Sequence, residues 1–152
     1  EKVTGIDLVK EQIRIAAGEP LSIQQQDIRL RGHSIECRIN AESPYTLKPS
    51  PGQITAYHPP GGPGVRVDSM AYAGMTVSPY YDSMIAKLIA YGADRAEAIC
   101  RMERALDMFM IEGIETTIPL HKKILQDPDF QAGLLSTEFL GSLKFDEAEE
   151  GL

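Results

Sequence analysis

Glu36 and Arg38 stand two residues apart in the stretch His33-Ser34-Ile35-Glu36-Cys37-Arg38-Ile39-Asn40-Ala41, where polar and apolar residues alternate. Read at period two, Ser34, Glu36, Arg38 and Asn40 share one face of a strand, while Ile35, Cys37, Ile39 and Ala41 share the other. On such a strand the Cα atoms of Glu36 and Arg38 are roughly 6.5 to 7 Å apart, so the carboxylate is able to hold the guanidinium in one pose. A planar, permanently charged fork with two parallel donors suits a small anion or a developing oxyanion. Taken alone, the stretch fits an ordinary surface ion pair better, because such pairs are common and weak.

The other chemistry-bearing residues offer less. Gly61-Gly62-Pro63-Gly64 has the glycine density of a phosphate loop, but Pro63 carries no backbone donor, no Lys-Ser or Lys-Thr follows, and no helix starts there. A turn requiring positive φ explains it fully. His33, His58 and His121 are too scattered for metal-ligand spacing, so no metal site is expected in this chain. Ser50 and Ser83 lack a nucleophile-elbow context. Tyr80-Tyr81-Asp82-Ser83 precedes an apolar run and fits two descriptions, the wall of a small polar pocket or core packing plus a turn, the second being the commoner. Met102, Met108 and Met110 read as core filler.

Around these residues the pattern predicts a single main domain of α+β class. A helix is expected over 4–18, with Thr4 as cap, Ile6, Val9, Ile13, Ala16 and Ala17 on one stripe, and Gly18 and Pro20 as its stop. Residues 24–27 read as a connection, after which 28–31 begin an extended segment. The Pro and Gly density of 44–64 excludes helix and leaves Gln53–Tyr57 and Val65–Asp68 as strands. Ser83–Tyr91 reads as a mostly buried strand, and 94–110 as the clearest helix, with Asp94 and Glu97 as a capping box. Gly113 closes that segment, and a short helix runs from Thr117 to Leu125 before Asp127-Pro128.

The chain has 152 residues, enough for a real core, and its net charge of -7 argues against a nucleic-acid surface. Part of that charge is a terminal run, Asp146, Glu147, Glu149 and Glu150, expected to be a solvated, disordered acidic tail over 142–152. Cys37 and Cys100 form no C-x-x-C pair, which suggests a reducing, cytoplasmic compartment. No apolar run reaches the length that spans a bilayer, so no membrane partner is expected. Since the chain opens on Glu1 instead of Met, it is expected to be processed or a piece of something longer.

Four motifs then stand in one order: Glu36-Cys37-Arg38-Ile39-Asn40-Ala41-Glu42, Pro49-Ser50-Pro51-Gly52, Pro60-Gly61-Gly62-Pro63-Gly64-Val65-Arg66, and Pro79-Tyr80-Tyr81-Asp82-Ser83-Met84-Ile85-Ala86-Lys87-Leu88. In these the chain resembles the C-terminal portion of biotin carboxylase. Met70 and Met75 depart from the His and aromatic residue often found at those places. The resemblance implies that 1–31 is the helix and connection ending an ATP-grasp part, and that 32–141 is the biotin carboxylase C-terminal domain, a small antiparallel or mixed sheet with C-terminal helices. It implies a ligase that uses ATP and magnesium to activate bicarbonate and then carboxylates biotin on a carrier protein, as in acetyl-CoA carboxylase and fatty acid synthesis. A purely structural or dimer-forming domain, or the equivalent part of a pyruvate or propionyl-CoA carboxylase, is the alternative.

By that resemblance Arg38 is the catalytic, biotin-facing arginine, and Glu36, two residues away on the same face, reads as its buttress. Tyr81 and Asp82 border the biotin pocket, and Arg66 lies near the interface of a homodimer. The family's nucleotide-covering loop, metal-binding Glu pair and N-x-R-x-Q-V-E segment are not found in this sequence. No cofactor is therefore expected on this chain alone, and its expected partners are the N-terminal ATP-grasp part, a second copy, and the biotin carboxyl carrier protein.

Overall fold

The computed structural model describes residues 1–143, and the expected acidic tail lies almost wholly outside them. Three helices and a three-stranded antiparallel sheet dominate. The elements are α1 (Leu8–Ala16), β1 (His33–Asn40), β2 (Gly52–Gln53), β3 (Ala56–His58), β4 (Val65–Ser69), β5 (Thr76–Val77), β6 (Met84–Gly92), α2 (Arg95–Met108), β7 (Met110–Glu112), α3 (Ile118–Gln126), α4 (Pro128–Ala132) and α5 (Phe139–Ser142). β6 is the centre of the main sheet, in the order β1-β6-β4, and β2 with β5 and β3 with β7 form two small antiparallel ribbons. The α+β reading is therefore correct.

Register explains the two faces of the sheet. Cys37 lies opposite Leu88, which in turn lies opposite Val67, so these three project to the same side. That side is the core, where Cys37, Ile39 and Leu88 are buried together with Met102 and Leu106 of α2. Burying each large apolar side chain is worth roughly 1.5 to 3 kcal/mol, so this layer is what holds α2 on the sheet. Gly92 lets the helix seat closely, since a Cβ there would meet the Ala98 amide nitrogen at 2.6 Å. The pairing shifts between Ile39 and Asn40, where Ile39 faces Ala86 but Asn40 faces Met84. Ile85 is the extra residue of this bulge, which is why Ile85 and Ala86, neighbours in sequence, are both 2% exposed.

Local expectations and structure differ at several points. α1 begins later than expected, because Asp7 and not Thr4 accepts the first-turn amide, that of Lys10 at 2.9 Å. Its stripe is not buried: Val9, Ile13, Ala16 and Ala17 are exposed and Ile6 is half-buried, Leu8 and Ile15 beside it are exposed too, and the buried residue is Glu11, bonded to Arg14 and Ser22. Residues 28–31 form no strand, although the Arg31 amide donates to the Val3 carbonyl at 2.8 Å. The strand expected over 53–57 is split, since Ile54 and Thr55 turn from pairing with β5 toward β7. Gly62 and Gly64 do have positive φ, and Gly64 passes so close to the Tyr91 carbonyl that a Cβ would lie 2.6 Å from it. Met102 is buried, whereas Met108 and Met110 are exposed and fill no core.

Candidate functional site

The face of the main sheet opposite α2 carries the charged residues. Arg38 of β1 lies opposite Lys87 of β6, which lies opposite Asp68 of β4; Glu36, Ile89 and Arg66 form the next row. Arg38 Nε is 3.5 Å from Glu36 Oε1, and the arginine side chain remains 71% exposed. The guanidinium thus stands outside the core on a strand whose other face is locked inside it. Arg38 and Lys87 stand across from one another on β1 and β6, with Glu36 beside the first and Asp68 opposite the second.

A cleft of about 920 Å³ runs along this face, bounded by the sheet residues Ser34, Glu36, Arg66, Asp68, Lys87 and Ile89 and by α1. Its α1 wall is the exposed apolar stripe, through Leu8, Val9 and Ile13. Arg38 is not among the residues lining it and stands further along β1. Arg66 pairs with Asp68 at 2.7 Å and with Glu1 at 2.6 Å, hydrogen bonds that hold its guanidinium charged. Within the chain, then, Arg66 ties the N-terminus to β4.

A smaller cavity, about 260 Å³, opens beyond the other end of β1, with Asn40, Glu42, Pro79, Tyr81, Asp82 and Ser83 in its wall. Neither Tyr81 nor Asp82 is core: Tyr81 is 84% exposed, Asp82 is exposed as well, and Tyr80 beside them is 89% exposed. Asp82 accepts from the Met84 amide at 2.7 Å and so sets the turn into β6. Asn40 donates through Nδ2 to Glu42 Oε1 at 3.1 Å, and the Ser83 hydroxyl donates to the same oxygen. Asn40 Oδ1 is buried without a hydrogen-bond partner among the described residues. The polar set is thus Asn40, Glu42 and Ser83 as well as the two expected residues. Asn40 and Glu42 follow Arg38 at the same two-residue spacing and were legible from it; Ser83 joins them only through the pairing of β1 with β6.

Two further groups touch Arg38 through its backbone. Thr117 Oγ1 donates to the Arg38 carbonyl at 3.1 Å, and His121 Nε2 lies 2.8 Å from the same oxygen. Burial holds the His121 imidazole below its ordinary pKa, with the hydrogen bond to that carbonyl opposing. On the opposite side of the strand, burial pushes the Cys37 thiol up to about 12, with the Glu36 carboxylate adding to the shift, so no thiolate is available there near neutral pH. Among the described residues, no three His, Cys, Asp or Glu side chains are grouped to hold a metal ion.

An α+β domain of this topology carrying this motif order is the C-terminal domain of a biotin-dependent carboxylase component. The chain belongs to that family: the profile described as Biotin carboxylase C-terminal domain matches residues 36–142. It is 60% identical over 141 residues to Biotin carboxylase 1 of Bacillus subtilis, covering 92% of this chain and 31% of that protein. It is 57% identical to a pyruvate carboxylase subunit of Methanothermobacter thermautotrophicus, covering 92% of this chain and 29% of that one. Among solved structures, the biotin carboxylase domain dimer of Hydrogenobacter thermophilus 2-oxoglutarate carboxylase, in complex with MgADP, ADP and bicarbonate, superposes with a TM-score of 0.89. Identity there is 50%, over 91% of this chain and 31% of that one. The chain spans about a third of the length of these relatives.

Proposed function

We propose that this chain is the C-terminal part of a cytoplasmic biotin carboxylase and that it supplies Arg38 to the biotin end of an active site completed by an upstream ATP-grasp part. In this reading ATP, magnesium and bicarbonate are held upstream, and biotin arrives on a carrier protein. The assembly is an acetyl-CoA carboxylase that serves fatty acid synthesis, and the choice of final acceptor belongs to a separate carboxyltransferase. Residues 1–31 close the ATP-grasp part, 32–141 are the C-terminal domain, and Arg66 lies near the interface of a homodimer.

One observation carries the reading: a permanently charged guanidinium projects from the open face of a strand whose reverse face is fixed in the core. Carboxylation of biotin requires a ureido nitrogen to lose its proton, and negative charge then builds on the ureido oxygen. A cation already in place stabilises that enolate-like state more than the neutral urea, which lowers the barrier. Glu36 limits the poses open to Arg38, and Lys87 across from it adds positive potential. Tyr81 and Asp82 shape the pocket reached by continuing along β1 to Asn40.

The test is Arg38→Ala in the full-length enzyme, measuring biotin carboxylation beside bicarbonate-dependent ATP cleavage. Loss of one oxyanion-type donor predicts a fall of about 10² to 10³ in the first rate, with the second largely spared. Full retention of both rates leaves the domain a structural and dimer-forming part, with Arg38 in a surface ion pair.

A further inference from the structure

We infer that Thr117 and His121 are positioning residues that hold the Arg38 segment of β1 at its open edge, a role that rests on the reading of Arg38 as the biotin-facing cation. β1 is an edge strand of the β1-β6-β4 sheet. Every second residue of such a strand turns its amide and carbonyl away from the sheet, where nothing fixes them. At Arg38 and Asn40 the start of α3 takes the place of a further strand. The Thr117 amide donates to the Asn40 carbonyl at 3.1 Å, and the Asn40 amide donates to Thr117 Oγ1 at 3.0 Å. The same hydroxyl donates onward to the Arg38 carbonyl at 3.1 Å, so it both accepts and donates. His121 Nε2 supplies a second donor to that carbonyl at 2.8 Å, which fixes its proton on Nε2. The two residues are coupled to each other, since the His121 amide donates to the Thr117 carbonyl at 3.0 Å.

The arrangement is specific to this task in two ways. Thr117 is the N-cap residue of α3, yet its hydroxyl caps no amide of that helix and is spent wholly on β1. Thr117 is also 5% exposed, so losing its hydroxyl leaves the Asn40 amide with no ready replacement by water. All four bonds fall on Arg38 and Asn40, the residues that carry the cation and open the smaller cavity.

The experiment uses the full-length enzyme carrying Thr117→Val, His121→Leu and His121→Gln, each alone and combined with Arg38→Ala. Biotin carboxylation is measured beside biotin-independent, bicarbonate-dependent ATP cleavage. A misplacement near 1 Å costs up to about 10²-fold, so Thr117→Val and His121→Leu are expected to lower carboxylation by about ten- to a hundredfold. ATP cleavage stays within about twofold, and His121→Gln, whose amide N–H reaches the same carbonyl, retains most of the rate. In the Arg38→Ala background the same changes cost nothing further, because the group they position is gone. Unchanged carboxylation, a parallel fall in both activities, or full additivity with Arg38→Ala overturns the inference. Should His121→Leu not fold, His121→Asn decides, since its amide is one bond too short and equal rates for Gln and Asn exclude a role for the bond. If Arg38→Ala itself leaves carboxylation intact, the reading of Arg38 falls and the positioning role with it; a silent Thr117→Val beside a damaged Arg38→Ala removes the positioning role alone.

Discussion

Replacing Glu36 by Gln removes the negative partner of Arg38 while keeping side-chain length and hydrogen-bonding capacity. The two charged atoms are 3.5 Å apart, with the arginine side chain 71% and the glutamate 43% exposed. Pairs this open to water are worth about 0.2 to 1 kcal/mol, since solvent screens them and two flexible chains must be held still. If that energy serves to keep Arg38 aimed, its loss lowers the carboxylation rate by at most about fivefold, at 1.36 kcal/mol per factor of ten. The assay is steady-state biotin carboxylation by the full-length enzyme carrying Glu36→Gln, at two ionic strengths. The deficit narrows at the higher salt, where the Debye length shortens and the wild-type pair weakens. The thermal midpoint barely moves. A loss above about thirtyfold, or 2 kcal/mol, refutes the buttress role, because no exposed pair carries that much and Glu36 then acts on the substrate itself. An unchanged rate at low salt refutes it from the other side.

Two other outcomes follow from geometry already described. Arg66→Glu sets a third carboxylate beside Asp68 and Glu1 and inverts the charge proposed for the dimer contact; like-charge juxtaposition costs several kcal/mol, so sedimentation of the full-length enzyme is expected to show a dimer dissociation constant raised about tenfold or more, and an unchanged profile removes Arg66 from the interface. The Cys37 thiol, pushed up to about 12 by burial, is expected to resist iodoacetamide at pH 8 in the folded enzyme and to react once the protein is unfolded, which peptide mapping reads directly; alkylation of Cys37 without unfolding would show that the β1 core face opens.

The residues with local signals were the ones the sequence exposed. Alternation over 33–41 assigned Arg38 and Glu36 to one face, and the spacing from Asp94 to Phe109 outlined α2, whose cap Asp94 accepts the Glu97 amide at 2.9 Å. The sequence could not show that Arg38 lies across from Lys87, because pairing is a property of two strands and not of either alone. Thr117 and His121 lie 79 and 83 residues from Arg38, and Thr117 reads locally as the start of a helix, which it also is. α1 misled for a different reason. Its apolar period is real, but among the described residues that face stays exposed, so periodicity marked a face without marking burial. The role of Arg38 rests on motif resemblance, since its alternation alone fits a surface ion pair better.

The bulge beside Asn40 settles which strand absorbs a change of length. The surplus residue, Ile85, sits on β6, and β1 runs without interruption from His33 through Ile39. Residues 78–83 therefore lead into a strand that already holds one misfit, whereas a one-residue insertion or deletion between Ser34 and Cys37 would exchange the two sides of β1 relative to its start, turning Cys37 outward and Arg38 inward. The side on which Arg38 stands is thus set by an unbroken count of residues along β1, while the irregularity in pairing is confined to β6.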